Sequence, residues 1–249
     1  MKNNDTMKRD RRRFIWAVTI PTVLALGMLP RVLRAADSSK SLRIGVIGSG
    51  RIGGTIGALW VKAGHHVMFS SLDLAHDKAL AARLGGGARA GTPKEAGAFG
   101  EVLFMAVPYG ALPSLGRDLG SSLRGKVVLD ACNPFPGRDG KMAIEARLKG
   151  TGVASPEYLP GVRLVRAFNS VGYLSLQTEA HRAGNRIAIP LAGDDAEALR
   201  TAERLVRDAG FEPVVVGSLA RAKEFDPGTR VFDRALTATD LRRELGLKP

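Results

Sequence analysis

The chain has 249 residues, 45% of them hydrophobic and 24% charged, the proportions of an ordinary globular protein, which exclude a disordered, collagenous or disulfide-scaffold class. Cys132 is the only cysteine, so no intramolecular disulfide can form. The formal net charge is +13; about half of that excess lies in the first 35 residues, and the remaining Lys and Arg are spread out without aromatic interleaving, which argues against a nucleic-acid-binding surface.

The first 35 residues hold eight Lys/Arg and two Asp. Lys8-Arg9-Asp10-Arg11-Arg12-Arg13 precedes an apolar run from Phe14 to Leu29. A charged start followed by a short apolar core is the layout of a secretory signal. Arg11-Arg12-Arg13-Phe14-Ile15 resembles the twin-arginine export pattern, which carries folded proteins. Residues 1–35 are read as such a signal, with export to the periplasm as the expectation. The run is short for a membrane span and contains Pro21, so no span is expected after cleavage.

The mature chain alternates strands and helices. Leu42 to Ile47 is a short β-branched run, read as a buried strand. The turn Gly48-Ser49-Gly50-Arg51-Ile52-Gly53 follows, then a helix to Ala63, closed by Gly64. His66 to Ser70 is the second strand and Asp73 to Leu84 the second helix. Further strands are expected at 101–107, 126–130, 163–168, 186–192 and 213–216, with helices at 112–123 and 195–209. This alternation predicts an α/β Rossmann fold, a doubly wound and mostly parallel sheet with helices on both faces. The dinucleotide-binding domain is placed at 42–222, with a short, charged C-terminal segment at 223–249.

A Gly-x-Gly-x-x-Gly that ends a strand and opens a helix is a dinucleotide fingerprint. Gly48 permits the tight turn, Gly50 lets the pyrophosphate approach the backbone, and Gly53 lets helix and strand pack closely. The helix N-terminus offers free N–H groups and a positive dipole end to the phosphates. At the end of the second strand stand Ser70 and Ser71, with no acid directly there. Hydroxyls at that place, with Arg51 nearby, point to the 2′-phosphate of NADP; NAD stays the alternative. Asp73 lies slightly later and can cap the following helix.

Ligands of open α/β sheets bind outside the carboxyl ends of the strands. Val107-Pro108, Asn133-Pro134 and Asn169 each follow a predicted strand and should converge near the nicotinamide. Asn133 and Asn169 are candidates to hydrogen-bond cofactor or substrate, or serve as turn residues. Cys132 reads as a small packed residue, and His65 and His66 as exposed loop residues. No metal-ligand spacing is present.

The chain resembles the NADP-dependent oxidoreductases of the coenzyme F-420 reductase type, and more distantly the NADPH-binding domain of the membrane ferric reductases called STEAP proteins. The likeness is carried by Ile44 to Gly53, Ala106-Val107-Pro108, Arg166 to Val171, Leu191 to Asp195 and Gly217 to Ala222. The chain departs from the family where Leu72 replaces the Arg often found after the strand-end serine. The resemblance implies hydride transfer between NADPH and a flat redox partner, a flavin or a deazaflavin, in a cleft closed by the C-terminal segment. A small-molecule redox substrate is then the expected partner, and a homodimer could complete the cleft. A non-catalytic dinucleotide-binding sensor or carrier is the alternative. An imine or 3-hydroxyacid reductase is a third reading, but the 33 residues beyond Val216 leave no room for the large helical domain of those enzymes.

Overall fold

The computed structural model describes residues 40–248. The leader read at residues 1–35 lies outside the described residues. In chain order the elements are β1 (Arg43–Ile47), α1 (Arg51–Lys62), β2 (His66–Ser70), α2 (Leu74–Leu84), β3 (Ala88–Ala90), α3 (Pro93–Phe99), β4 (Val102–Met105), α4 (Leu112–Leu123) and β5 (Val127–Asp130). They continue with α5 (Pro136–Lys149), α6 (Thr151–Tyr158), β6 (Arg163–Arg166), α7 (Tyr173–Thr178), β7 (Ala188–Gly193), α8 (Ala196–Asp208), β8 (Glu212–Gly217) and α9 (Ala238–Glu244).

The strands form one sheet in the order β3-β2-β1-β4-β5-β6-β7-β8. The first six are parallel, β7 runs antiparallel to β6, and β8 is parallel to β7. This is the expected Rossmann order, 3-2-1-4-5-6, extended by a reversed strand pair. The central strands β1, β4 and β5 are buried nearly throughout, as a parallel sheet covered on both faces requires. The order reverses between β1 and β4, so the loops after these two strands diverge and open a crevice.

The core on one face is centred on Trp60 of α1. Its ring meets Phe104 edge-on at 5.2 Å and Phe168 at 6.0 Å. Its Nε1 donates to the Leu205 carbonyl at 2.8 Å, which ties α1 to α8.

Five helices and one strand, α3, α5, α6, α7, α9 and β3, have no counterpart in the sequence reading. They are brief or interrupted: β3 has three residues, and α5 holds Gly140 at φ 62°. Such segments carry too few turns for a periodic signal. His65 also departs from expectation, because it is buried. Its Nδ1 accepts from the Leu42 N–H at 3.1 Å, and Nε2 lies 3.0 Å from Asp208 Oδ2. That pattern assigns the ring proton to Nε2. The partner stands 143 residues along the chain, so no local signal announces it.

The charged stretch beyond 222 is part of the same compact unit as the sheet. Phe225, Val231 and Leu241 are buried against Ala188, Val214 and Val216. An antiparallel bridge joins Ile187 to Thr237. Three widely spaced apolar residues anchor a segment whose charges, the buried Asp226 apart, mostly face water, and that is why it reads as an appendage. Among the described residues, no helix is long and apolar enough to cross a membrane.

Candidate dinucleotide site

The glycine turn is bent by hydrogen bonds from the N–H groups of Gly48 and Ser49 to the Ser70 carbonyl, at 2.8 and 3.0 Å. Gly48 has φ 95°, in the region L side chains avoid, and a Cβ there would lie 2.4 Å from the Ala106 carbonyl oxygen. A Cβ on Gly53 would lie 1.9 Å from the Gly48 oxygen. Gly50 is different: a Cβ there meets nothing within 4 Å. The space above Gly50 is open, which is the cradle a pyrophosphate needs. Ile52 packs partly buried against the core. The first bond of α1 runs from the Gly54 N–H to the Gly50 carbonyl at 2.7 Å, and no side chain caps the helix. The N–H groups of residues 51–53 precede that bond and point out of the helix. No acid stands in its first turn.

On one side of Gly50 lies a cleft of about 730 Å³, bordered by Gly48, Leu72, Thr92, Val107, Pro108 and Leu115. Its size and mostly apolar walls suit a flat heteroaromatic ring. Val107 and Pro108 border this cleft together with Leu72 and Thr92, across the β1–β4 gap from the glycine turn; Asn133 and Asn169, expected to converge with them, do not line it.

The strand-end serines are not free donors. Ser70 is fully buried and its hydroxyl donates to the Val46 carbonyl at 2.8 Å. Ser71 donates to Asp77 Oδ2 at 2.9 Å and accepts from the Asp73 N–H at 3.1 Å. The Ser49 hydroxyl also donates to Asp77, which is fully buried. Ser70 and Ser71, the two serines read as phosphate donors, are therefore engaged inside the protein, as is Ser49 of the glycine turn. Asp77 lies on the helix after the strand, not at its end, so the sequence did not single it out. Asp73 caps α2, accepting from the His76 N–H at 2.9 Å, as expected.

At the carboxyl ends of β5 and β6, Asn133 and Asn169 do come together. Asn133 Nδ2 donates to the Asn169 carbonyl at 2.7 Å. Asn169 Nδ2 donates to the Phe225 carbonyl at 3.3 Å, while its buried Oδ1 has no partner. Phe168, just before it, has φ 59°, a strained backbone that aims the Asn169 loop. Pro134 is buried and fixes the turn after Asn133.

Beneath this pair lies a node that sequence reasoning missed. Arg166 is fully buried at the end of β6. Its guanidinium lies 2.8 Å from Asp130 and 3.5 Å from Asp226, and donates to the Cys132 carbonyl at 2.9 Å. Burial opposes the charge, but the carboxylates of Asp130 and Asp226 outweigh it and hold the guanidinium protonated. Asp226 Oδ2 also accepts from the Thr151 N–H at 2.9 Å. One side chain thereby fastens the loops after β5 and β6 to the C-terminal segment. On the exposed side, Asp139 accepts from the N–H groups of Gly110 and Phe135 at 3.1 and 3.0 Å, tying together the loops after β4 and β5.

Cys132 is buried, and burial, with Asp130 beside it, pushes its thiol well above the ordinary range. It packs; it is no nucleophile. An aromatic disulfide reagent will label it only after denaturation, and stoichiometric labelling of the native protein would contradict this placement. Tyr109 is likewise withdrawn from the cleft. Burial raises its hydroxyl above the ordinary range, and Ser155 Oγ lies 3.2 Å away.

Residues 43–134 match the family described as NADP oxidoreductase, coenzyme F-420-dependent. The metalloreductase STEAP3 of Rattus norvegicus is 31% identical over 208 residues, 78% of this chain and 39% of that protein. The chain thus spans about two fifths of the length of the curated relatives it matches. A hypothetical protein of Sinorhizobium meliloti superposes with a TM-score of 0.66 at 25% identity, covering 81% of this chain and 97% of that one. A structure from Arthrobacter sp. FB24, described as an F-420-dependent NADP reductase, superposes with a TM-score of 0.62 at 18% identity, over 79% of this chain and 100% of that one. The glycine turn and the match over 43–134 show that this part of the chain carries the domain of the NADP-dependent oxidoreductases of the coenzyme F-420 type.

Proposed function

We propose that the chain binds NADP(H) across the carboxyl edge of its sheet and exchanges hydride with a flavin- or deazaflavin-like acceptor. The observation that carries this reading is the uncapped N-terminus of α1 at an open Gly50, bordering an apolar cleft. The N–H groups of residues 51–53 receive the pyrophosphate. Gly48, Val107 and Pro108 shape the cleft for the adenosine half. Asn133 and Asn169, bonded to one another at the carboxyl ends of β5 and β6, stand on the side of the nicotinamide half, and Asn133 holds the Asn169 loop in place. When bound, the nicotinamide supplies the redox chemistry. The protein's task is to stack and align two flat rings and to keep water out. The acceptor class comes from the family resemblance and from the relatives named above.

The test is loss of NADPH absorbance in the presence of FMN, FAD, coenzyme F-420 or a ferric chelate. Turnover with a flavin or deazaflavin is expected. Tight NADPH binding without turnover on any of these acceptors would replace this reading with a non-catalytic cofactor carrier. The signal read at residues 1–35 belongs to the same proposal: the protein is exported folded and loaded with its cofactor. An exported form that still begins at Met1 would overturn its cleavage.

A further inference from the structure

A second groove leaves the dinucleotide cleft at Gly50 and runs between α1 and α2. Its volume is about 550 Å³. Arg51 and Lys62 enter it from α1, and His76 and Arg83 from α2. Ala58, Leu59 and Leu80 form an apolar floor, and no Asp or Glu lines it. Among the described residues, Arg51, Lys62 and Arg83 take part in no ion pair. The Arg51 guanidinium lies over the Tyr173 ring, 4.8 Å from its centroid. Stacking holds the plane of the guanidinium and leaves its N–H edge available. His76 is half exposed, with Nδ1 3.5 Å from Asp77, and among the described residues its other ring nitrogen has no hydrogen-bond partner.

Cations gathered without counter-ions raise a local positive potential that an anion relieves. The groove touches the dinucleotide cleft at Gly50, beside the end of β2. In the dinucleotide-binding fold that is the side on which the adenosine ribose presents its 2′ position. The strand end itself offers little there. Ser70 and Ser71 are engaged with Val46 and Asp77, and Leu72 is an exposed apolar side chain. Asp73 lines the neighbouring cleft and is engaged as the cap of α2.

We propose that the upper end of this groove is the receptor for the 2′-phosphate of NADP, read by Arg51 and His76, with Lys62 and Arg83 adding long-range attraction. This rests on the NADP reading above and replaces the strand-end serines with a pair of residues from two helices. Arg51 and His76 are the specificity-determining contacts.

Adenosine 2′,5′-bisphosphate and adenosine 5′-monophosphate differ only in the 2′-phosphate. Titration calorimetry with both probes therefore isolates the contact. The native protein should bind the bisphosphate at least tenfold more tightly. His76→Ala should weaken the bisphosphate by about ten- to a hundredfold, the range for one charge-assisted hydrogen bond, and move the monophosphate by less than about twofold, while Arg51→Ala should weaken the bisphosphate at least tenfold more than the monophosphate. Bisphosphate affinity unchanged in both variants overturns this assignment and leaves the NADP reading standing. Equal weakening of both probes overturns it as well, since the variants would then have damaged the adenosine cleft. A native protein with no preference for the bisphosphate overturns the NADP reading itself.

Discussion

Arg166→Met will cost the fold about 3–5 kcal/mol, because it leaves Asp130 and Asp226 buried without their counter-charge. That is a large share of the roughly 5–15 kcal/mol that stabilises a typical domain. The loss follows from geometry. Arg166 is fully buried, Asp130 is fully buried, and the carbonyls of Asp130 and Cys132 accept from the same guanidinium. Urea denaturation of the native and variant proteins measures it. Asp226→Asn should cost less, because Arg166 keeps Asp130 and an amide can still accept from the Thr151 N–H. A midpoint for Arg166→Met within error of the native one would show that the node is not a buried ion pair. The same node orients Asn133 and Asn169, so Asp226→Asn should also weaken NADPH more than adenosine 2′,5′-bisphosphate, which lacks the nicotinamide half.

The glycine turn separates stability from binding. Gly53→Ala drives a methyl group to 1.9 Å from the Gly48 carbonyl oxygen, a backbone atom that cannot turn aside. Overpacking of that kind costs at least about 1–3 kcal/mol, and here it displaces the start of α1. Gly50→Ala meets no atom within 4 Å. Its thermal midpoint should stay within about 2 °C of the native value, on the size of shift a few tenths of a kcal/mol produces. Its NADPH affinity should nevertheless fall by tenfold or more, because the methyl group occupies the approach of the pyrophosphate. Thermal unfolding with and without NADPH reads both effects. Native-like NADPH affinity in Gly50→Ala would mean that the phosphates do not pass over this turn.

Much of the architecture is visible in the sequence because it is local. β1, the glycine turn and α1 form one continuous strand–turn–helix signal. The bounds of β2 and α4 follow from β-branched and apolar runs. The mostly parallel sheet with helices on both faces follows from the alternation of strands and helices, while the order of its strands comes from the fold. Gly48 and Gly53 can be assigned their roles from spacing alone, since a tight turn and a close helix–strand contact admit no other residue.

What the side chains at the site do was settled by partners far along the chain. Ser70 and Ser71 look like free phosphate donors until the fold shows Val46 and Asp77 accepting their hydroxyl protons. Asn169 looks like a turn residue until the loop after β6 buries its Oδ1 without a partner. Arg166 looks like one more strand-end arginine. Only packing brings Asp226, 60 residues away, to its guanidinium and makes it the fastening of the cofactor-facing loops. A backbone pattern repeats within a few residues and so is written in the sequence. A hydrogen bond or ion pair between distant segments depends on which surfaces the folded core presses together, and the tertiary structure alone decides that.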